Sequence, residues 1–237
     1  MKIEKDLKIG IFVYNFKHRK SQDFLVRSYL ENLNVQAVFA ADAVKLNIEH
    51  STIKTKIRHQ GLMHPERVSQ RFEYKYFNFP HNDKRTIETI KKLKLDIGIV
   101  AGARILNSSV ISAFNIGIIN FHPGLIPETR GLDSLLWSII NDIPIGVTSH
   151  LIDARIDAGT VLIKDRLKIY KDDTIYDLSE RLYEKQLELL IPSINSILEE
   201  KYIDIDYSNS SYNRKMRPEL EKDVLRKVKK YIEKYSE

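Results

Sequence analysis

The 237-residue sequence contains no cysteine, which excludes disulfide bonds, a thiolate nucleophile and any zinc site built on cysteine. It also lacks the glycine-rich patterns G-x-G-x-x-G and G-x-x-x-x-G-K-[ST]. Neither a standard dinucleotide loop nor a nucleoside triphosphate loop is therefore predicted. No H-E-x-x-H motif is present, and His59 and His64 have no further ligands at metal spacing. We expect no metal site.

Long hydrophobic runs are also missing. The longest stretch without Asp, Glu, Lys or Arg runs from Ile105 to Pro127, and asparagines, serines and prolines interrupt it. A membrane span needs about 20 predominantly apolar residues, so none is predicted. The apolar run within Met1 to Tyr14 is too short for a signal peptide and is typical of a first strand. We expect a cytoplasmic protein.

Charge is nearly balanced over most of the chain. Lys and Arg number 38 against 32 Asp and Glu, giving a formal net charge of +6, and residues 201–237 hold 10 basic and 7 acidic side chains. The rest of the chain does not predict a nucleic-acid groove. One alternative is a non-catalytic basic α/β module that binds nucleic acid or a partner through its last helix. It is disfavoured because basic and acidic residues alternate on that helix, as on a solvated face.

Apolar strands alternate with segments of helical spacing over the first two thirds of the sequence. This pattern predicts an α/β fold with a doubly wound, mostly parallel, Rossmann-like sheet, whose ligands lie at the carboxyl ends of the strands. The predicted strands are Lys8–Tyr14, Val35–Ala41, Tyr74–Phe79, Leu95–Ala101, Ile116–Asn120, Gly146–Ile152, Val161–Ile163 and Arg166–Tyr170.

The pattern changes after Gly159. A long helical stretch is predicted over Thr174–Leu198, capped by Asp172 or Asp173, and an irregular polar segment follows at Asp204–Asn213. Pro218 then opens a basic amphipathic helix, because proline is favoured in the first turn of a helix. We expect a main domain over residues 1–198 and a small C-terminal helical extension over residues 199–237.

Two predicted strand ends carry polar side chains. Asn120 and His122 lie on the same side of the chain where it leaves a buried strand. The next predicted strand carries His150 and is followed by Asp157. Because strands of such a sheet end at the same edge, an amide, an imidazole and a carboxylate can meet there. The residues alone also allow structural roles, in which His122 caps its strand and Asn120 bonds loop backbone.

These segments resemble those of a known family. The folate-dependent formyltransferases are similar in four spaced motifs, and the resemblance is strongest from Leu95 to Leu162. The matching segments are Ala101-Gly102-Ala103-Arg104-Ile105-Leu106, Asn120-x-His122-Pro123 with Leu125-Ile126-Pro127 and Gly131, Gly146-Val147-Thr148-Ser149-His150, and Asp157-Ala158-Gly159.

The resemblance implies transfer of a formyl group from 10-formyltetrahydrofolate to an amine, with Asn120, His122 and Asp157 as catalytic residues. It further implies folate contacts for Arg104, Ile105, Leu106, Asp153, Ala154 and Ile156. Without it, Ile105 and Leu106 are equally consistent with core packing. Weaker candidates for acceptor contacts are Tyr14, Phe16, Lys17, Gly124 and His150, of which His150 is expected to support its loop rather than react.

Departures from the family patterns narrow the choice of acceptor. Glycinamide ribonucleotide formyltransferases carry a glycine-rich phosphate loop after the first strand, whereas Val13 to His18 stand there in this chain. Methionyl-tRNA formyltransferases have an added C-terminal barrel, and only a short segment follows Leu198. A formyltetrahydrofolate deformylase would add an N-terminal regulatory domain.

We therefore expect an N-formyltransferase for a nucleotide-linked amino sugar, such as a dTDP-4-amino-4,6-dideoxy sugar destined for surface polysaccharide. Glycinamide ribonucleotide is the alternative acceptor. The resemblance also implies a homodimer, whereas the charge balance and the lack of a long apolar run predict no nucleic-acid or membrane partner.

Overall fold

The computed structural model describes residues 7–45, 47, 51–53, 61–153, 157, 159–208, 210 and 212–237. The chain divides into two compact units. The first comprises residues 1–45, 59–120 and 151–155, and the second comprises residues 46–58, 121–150 and 156–237. In the described ranges, no helix is long and apolar enough to cross a membrane.

Strands and helices alternate through most of the described chain. The strands are β1 (Ile9–Tyr14), β2 (Val35–Ala41), β3 (Tyr76–Asn78), β4 (Ile97–Val100), β5 (Gly117–His122), β6 (Arg130–Gly131), β7 (Gly146–Leu151), β8 (Thr160–Arg166) and β9 (Tyr212–Asn213). The helices are α1 (Arg19–Leu30), α2 (Pro65–Arg71), α3 (Lys84–Leu93), α4 (Ser108–Ile111), α5 (Ser134–Ile140), α6 (Ile175–Glu188), α7 (Leu190–Leu198) and α8 (Pro218–Tyr235).

Seven strands form one sheet in the order β3-β2-β1-β4-β5-β7-β8. The pairs β1 with β2, β1 with β4, β2 with β3, and β4 with β5 are parallel. This confirms the predicted doubly wound, mostly parallel sheet, and the C-terminal helix is present as α8. A second, two-stranded parallel sheet pairs β6 with β9.

The core of the first unit lies around β1. Ile9, Ile11, Phe12 and Val13 are at most 1% exposed, as expected for a strand that has a neighbour on each edge and is covered on both faces. Phe12 stacks on Phe39 of β2, with ring centroids 5.3 Å apart. This packing fixes the carboxyl end of β1.

The helical stretch predicted over Thr174–Leu198 is present, but it is divided at Leu189 into two helices, α6 and α7. Pro192 lies in the first turn of α7. A proline lacks the backbone N–H and its ring clashes with the carbonyl four residues earlier, which here is that of Glu188, the last residue of α6. The sequence therefore contained the signal for the break.

The predicted caps of α6, Asp172 or Asp173, are wrong, because Thr174 is the N-cap. The side chain of Thr174 accepts a hydrogen bond from the backbone N–H of Asp177, and the Asp177 carboxylate accepts one from the backbone N–H of Thr174. This reciprocal pair is a capping box, which satisfies two N–H groups that a helix leaves unpaired. Asp172 and Asp173 precede the cap.

Two further strand predictions need correction. β8 is one continuous strand, and of the predicted strand Arg166–Tyr170 only an isolated bridge between Ile169 and Ser236 is found beyond it. The segment Asp204–Asn213 is not wholly irregular, because Tyr212 and Asn213 form β9. The boundary expected at residue 198 stays a prediction.

In the second unit, α8 packs on the segment that ends α5. Tyr231 donates a hydrogen bond to the carbonyl of Ile143 at 2.6 Å, and Lys227 donates one to the carbonyl of Ile140 at 3.1 Å. Val224 and Ile232, on the apolar face of α8, are 0% and 5% exposed. Pro218 is the first residue of α8, as predicted from the sequence.

Candidate active site

The candidate site begins at the end of β5. His122 is the last residue of this strand and is 4% exposed, and Asn120, two residues earlier, is half-buried. Because side chains alternate along a strand, both project on the same side, while Phe121 projects on the other and is fully buried. An amide and an imidazole therefore leave the strand together.

The two ring nitrogens of His122 face different partners. Nε2 lies 2.7 Å from the carbonyl oxygen of Thr129 and 3.3 Å from the hydroxyl of Ser134. A carbonyl oxygen can only accept, so Nε2 carries the proton that is donated to Thr129. Nδ1 lies 3.6 Å from Oδ2 of Asp157. A ring protonated on both nitrogens could donate to both oxygens.

Asp157 lies between two buried imidazoles. Its Oδ2 faces Nδ1 of His122, and its Oδ1 is 3.7 Å from Nε2 of His150, which is fully buried. Oδ2 also accepts a hydrogen bond from the backbone N–H of Gly131 at 3.1 Å. The backbone of Asp157 is left-handed, with φ of +46°, a conformation that Asp tolerates better than most residues. The structure thus brings His122, His150 and Asp157 together.

The loop after β5 is packed directly against the His122 ring. Thr148 on β7 donates to the carbonyl of Gly124 at 2.8 Å and accepts from the backbone N–H of Ile126 at 3.0 Å. A Cβ at Gly124 would lie 2.5 Å from the Thr129 carbonyl oxygen and 2.7 Å from Nε2 of His122. Gly124 is therefore buried beside the imidazole, and its role in acceptor binding stays a prediction.

Four of the predicted folate-binding residues are described, and they lie in two loops of the first unit. After β4, Arg104 donates to the carbonyl of Val44 at 2.8 Å, Ile105 is 69% exposed, and Leu106 is 6% exposed within the apolar core. Asp153 follows β7 and is half-buried. Ala154 and Ile156 lie outside the described residues. The folate role of this set stays a prediction.

The weaker acceptor candidates of the first unit lie at the end of β1. Tyr14 and Phe16 stack with ring centroids 5.1 Å apart and an interplanar angle of 10°. The Tyr14 hydroxyl donates to the carbonyl of Ala103 at 2.9 Å, and burial raises its pKa, while the positive charge of Arg104 acts in the opposite direction. Phe16 and Lys17 are exposed. The segment therefore presents an aromatic pair beside a cation.

Comparison with known proteins decides the family. The family model described as "Formyl transferase" matches residues 25–194. This chain belongs to the formyl transferase family. The resemblance inferred from the sequence motifs is thereby confirmed.

Other members of the formyl transferase family are similar over different shares of the chain. A methionyl-tRNA formyltransferase from Clostridium beijerinckii is 29% identical over 207 residues, which make up 85% of this chain and 64% of that protein. One from Clostridium tetani is 36% identical over 121 residues, or 50% of this chain and 39% of that protein. The chain thus spans less than two thirds of the length of these curated relatives.

A solved structure of a sugar N-formyltransferase from a Shewanella species superimposes with a TM-score of 0.61 at 19% identity. The match covers 94% of this chain and 89% of that chain. At this identity the likeness shows the formyl transferase fold alone.

Three groups around the His122 imidazole and the Asp157 carboxylate were not predicted from the sequence. They are the carbonyl of Thr129, the hydroxyl of Ser134 and the backbone N–H of Gly131. Backbone groups leave no mark on residue type, so their roles could be found only from the fold. In the described residues, no cluster of three or more His, Asp or Glu side chains could hold a metal ion.

Proposed function

We propose that this chain transfers a formyl group from 10-formyltetrahydrofolate to the amine of a nucleotide-linked amino sugar. The observation that carries the proposal is the pairing of the buried His122 with Asp157, whose facing atoms lie 3.6 Å apart, in a chain of the formyl transferase family. A cytoplasmic location and a homodimer are part of the proposal.

The proposed chemistry divides two tasks, oxyanion stabilisation and proton transfer, among the three catalytic residues. The amine nitrogen forms a bond to the formyl carbon, negative charge develops on the formyl oxygen, and the bond from that carbon to N10 of the folate then breaks. The side-chain amide of Asn120 and the imidazole of His122 donate hydrogen bonds to the developing oxyanion. The amine loses one proton and N10 gains one, and Asp157 carries this transfer through water.

The geometry of His122 supports this assignment. Its Nε2 edge is held by Thr129 and Ser134, so the orientation of the ring is fixed before substrate binds. The 3.6 Å between Nδ1 and Asp157 exceeds an ordinary hydrogen-bond length. When the ring is protonated on both nitrogens, an oxygen of the reacting group can therefore compete with the Asp157 carboxylate for the hydrogen bond from Nδ1–H. A preorganised donor of this kind needs no reorganisation during the reaction.

Two observations support an amino-sugar nucleotide as the acceptor. The segment after β1 carries the stacked rings of Tyr14 and Phe16 and the exposed cation of Lys17, rather than a glycine-rich phosphate loop. An aromatic pair suits a nucleobase, and a cation suits a pyrophosphate. In addition, a sugar N-formyltransferase, the Shewanella enzyme, is among the proteins that share the fold.

A second acceptor, an aminoacylated tRNA, is favoured by a different observation. The curated relatives are named methionyl-tRNA formyltransferases, and the sequence identity to them exceeds that to the solved Shewanella sugar N-formyltransferase. This candidate requires a macromolecular acceptor, whereas the amino sugar requires a small one. The two are therefore separable by direct assay.

The test is formyl transfer by the full chain with 10-formyltetrahydrofolate and a panel of acceptors. The panel contains dTDP-linked and UDP-linked 4-amino-4,6-dideoxy sugars, glycinamide ribonucleotide and methionyl-tRNA. We expect turnover with a nucleotide-linked sugar. Turnover with methionyl-tRNA or glycinamide ribonucleotide alone would refute the acceptor and retain the formyl transfer. No turnover with any amine would reject the proposed reaction.

The catalytic assignment is tested with His122→Asn and Asp157→Ala. Each is expected to lower kcat at least about 100-fold, because a general acid or base and an oxyanion donor each contribute on that order. Folate binding, measured by isothermal titration calorimetry, should stay nearly unchanged. Asp172→Ala, at an exposed aspartate away from the cluster, is the matched control and should keep full activity. Full kcat in either site variant would reject the assignment.

A further inference from the structure

The carboxylate of Asp157 is held by a part of the chain that is distant in sequence. Its Oδ2 accepts the hydrogen bond from the backbone N–H of Gly131, in β6. β6 is in turn paired with β9, so that Arg130 lies opposite Tyr212 and Gly131 lies opposite Asn213. The position of the amide that contacts Asp157 therefore depends on residues about 80 positions later in the chain.

Gly131 fits this pairing because it has no side chain. Its φ is +94°, and a Cβ would lie 2.2 Å from the carbonyl oxygen of Asn213 and 2.8 Å from the ring of Tyr212. The next residue, Leu132, donates its backbone N–H to the same Asn213 carbonyl at 2.9 Å. β9 thus lies directly over the turn that carries the amide.

The same C-terminal segment also contacts the backbone that carries Asp157. The hydroxyl of Tyr207 donates to the carbonyl of Gly159, two residues after Asp157, at 2.7 Å. Arg130 donates to the hydroxyl of Ser210 at 2.7 Å, and its guanidinium lies 5.5 Å from the centroid of the Tyr207 ring. Tyr207 therefore contacts both Arg130, the residue before Gly131, and the backbone two residues after Asp157.

The segment is fixed at its far end as well. The carboxylate of Asp133 accepts from the backbone N–H of Met216 at 2.8 Å and pairs with Lys215 at 2.8 Å. The indole N–H of Trp137 donates to the carbonyl of Arg214 at 2.9 Å. We name the described residues 207, 208, 210 and 212–216 the C-terminal strap. The C-terminal strap contacts both the segment that carries the Gly131 amide and the backbone at Gly159, two residues after Asp157.

We propose that the C-terminal strap positions Asp157 against His122, with Tyr207 and Gly131 as positioning residues. The inference rests on the proposed function and deepens it. Neither Tyr207 nor Gly131 reacts with substrate. Tyr207 holds the backbone at Gly159, and the strap holds the amide of Gly131, so that the carboxylate stays at its place beside the imidazole. A catalytic group displaced by about 1 Å can cost up to about 100-fold in rate.

The test is Tyr207→Phe, which removes one hydroxyl and keeps the ring that Arg130 packs on. We expect kcat to fall about 10-fold, while KM for the formyl donor and for the acceptor stays within about two-fold, because the strap acts on a reacting group and not on substrate contacts. Tyr202→Phe is the matched control. Tyr202 is 48% exposed and lies earlier in the same C-terminal region, and its variant should keep the wild-type kcat.

A second measurement does not depend on activity. The ring ¹H–¹³C signal of His122, assigned with His122→Asn, is recorded in the full chain and in the variants. We expect Tyr207→Phe to move this signal in the same direction as Asp157→Asn does, and Tyr202→Phe to leave it in place. If wild type formylates none of the acceptors and the signal still moves, the proposed function fails and the strap inference stands.

Ser210→Ala keeps the inference testable if Tyr207→Phe does not fold, as judged by its melting temperature. This variant removes the acceptor for Arg130 and should move the His122 signal in the same direction by a smaller amount. An unchanged His122 signal in both strap variants, with an unchanged kcat, would overturn the inference. An equal rise of KM for both substrates at constant kcat would also overturn it, because it would assign the strap to substrate binding.

Discussion

Glu221 is expected to make a large contribution to stability, because its carboxylate is fully buried on α8 and gathers donors from a distant segment. It accepts from the hydroxyl of Ser51 at 2.6 Å and from the backbone N–H groups of Thr52 and Ile53 at 2.6 and 3.1 Å. The hydroxyl of Thr52 is a further donor. Glu221→Ala leaves these donors without their acceptor.

The size of the effect follows from the number of donors. A buried donor that loses its partner costs about 1 to 3 kcal/mol, so the two backbone N–H groups alone predict a loss of about 2 to 6 kcal/mol for Glu221→Ala. For a chain of this length, 1 kcal/mol corresponds to about 2 to 4 °C in Tm. Glu221→Gln keeps an oxygen acceptor but loses the charge, so a smaller loss of about 1 to 2 kcal/mol is expected.

The pH dependence has a definite sign. Burial raises the pKa of Glu221, but the hydrogen bonds from Ser51, Thr52 and Ile53 together outweigh burial, and the net pKa is lowered. A carboxyl group with a lowered pKa in the folded state contributes stability above its unfolded pKa of about 4.3. That contribution is lost as the pH falls through the folded-state pKa. The stability difference between wild type and Glu221→Gln should therefore shrink below about pH 4.

The assay is thermal unfolding of wild type, Glu221→Ala, Glu221→Gln and Glu219→Gln between pH 3 and pH 7. Glu219 is exposed in the first turn of the same helix, so its variant is the matched control and should keep the wild-type Tm. The reasoning is refuted if Glu221→Ala melts within 2 °C of wild type at pH 7. A wild-type advantage over Glu221→Gln that grows toward pH 3 would contradict the sign.

Two further predictions concern the loop beside His122 and the start of α6. Thr148→Val removes the hydroxyl that joins Gly124 and Ile126, so we expect the free energy of unfolding to fall by about 1 to 3 kcal/mol and kcat to fall as well. Thermal unfolding and formyl transfer measure the two effects. Wild-type values for both would count against the role of this hydroxyl. Thr174→Ala removes the capping box and should cost about 1 kcal/mol, or about 2 to 4 °C in Tm, with kcat unchanged. Asp172→Ala should keep the wild-type Tm, and a drop as large as that of Thr174→Ala would disprove the cap assignment.

The parts of the fold that the sequence predicted well are those with a strong local signal. β2 was predicted with its observed bounds, Val35–Ala41, because β-branched and aromatic residues fill a short apolar run. Pro218 is the first residue of α8, as predicted, because the first turn of a helix has no intrahelical partner for the N–H that proline lacks. In these segments, local preference and tertiary packing favour the same conformation.

The candidate site was predictable where chemistry depends on side chains and not where it depends on backbone. The positions of His122 and His150 on neighbouring strands of the sheet, and of Asp157 after the second, indicated that they could meet. The pairing of Gly131 with Asn213 involves two-residue strands, which are too short for any periodic pattern. The contact of Glu221 with Thr52 spans 169 positions and likewise leaves no local signal.

The pairing of β6 with β9 has a consequence for synthesis. Domains form as the chain leaves the ribosome, at about 5 to 20 residues per second. A nascent chain that has emerged as far as Asp157 contains both imidazoles and the carboxylate, but not Tyr207 or Asn213, which hold the turns around that carboxylate. The contacts that hold the turns around Asp157 therefore form only after synthesis has passed Asn213.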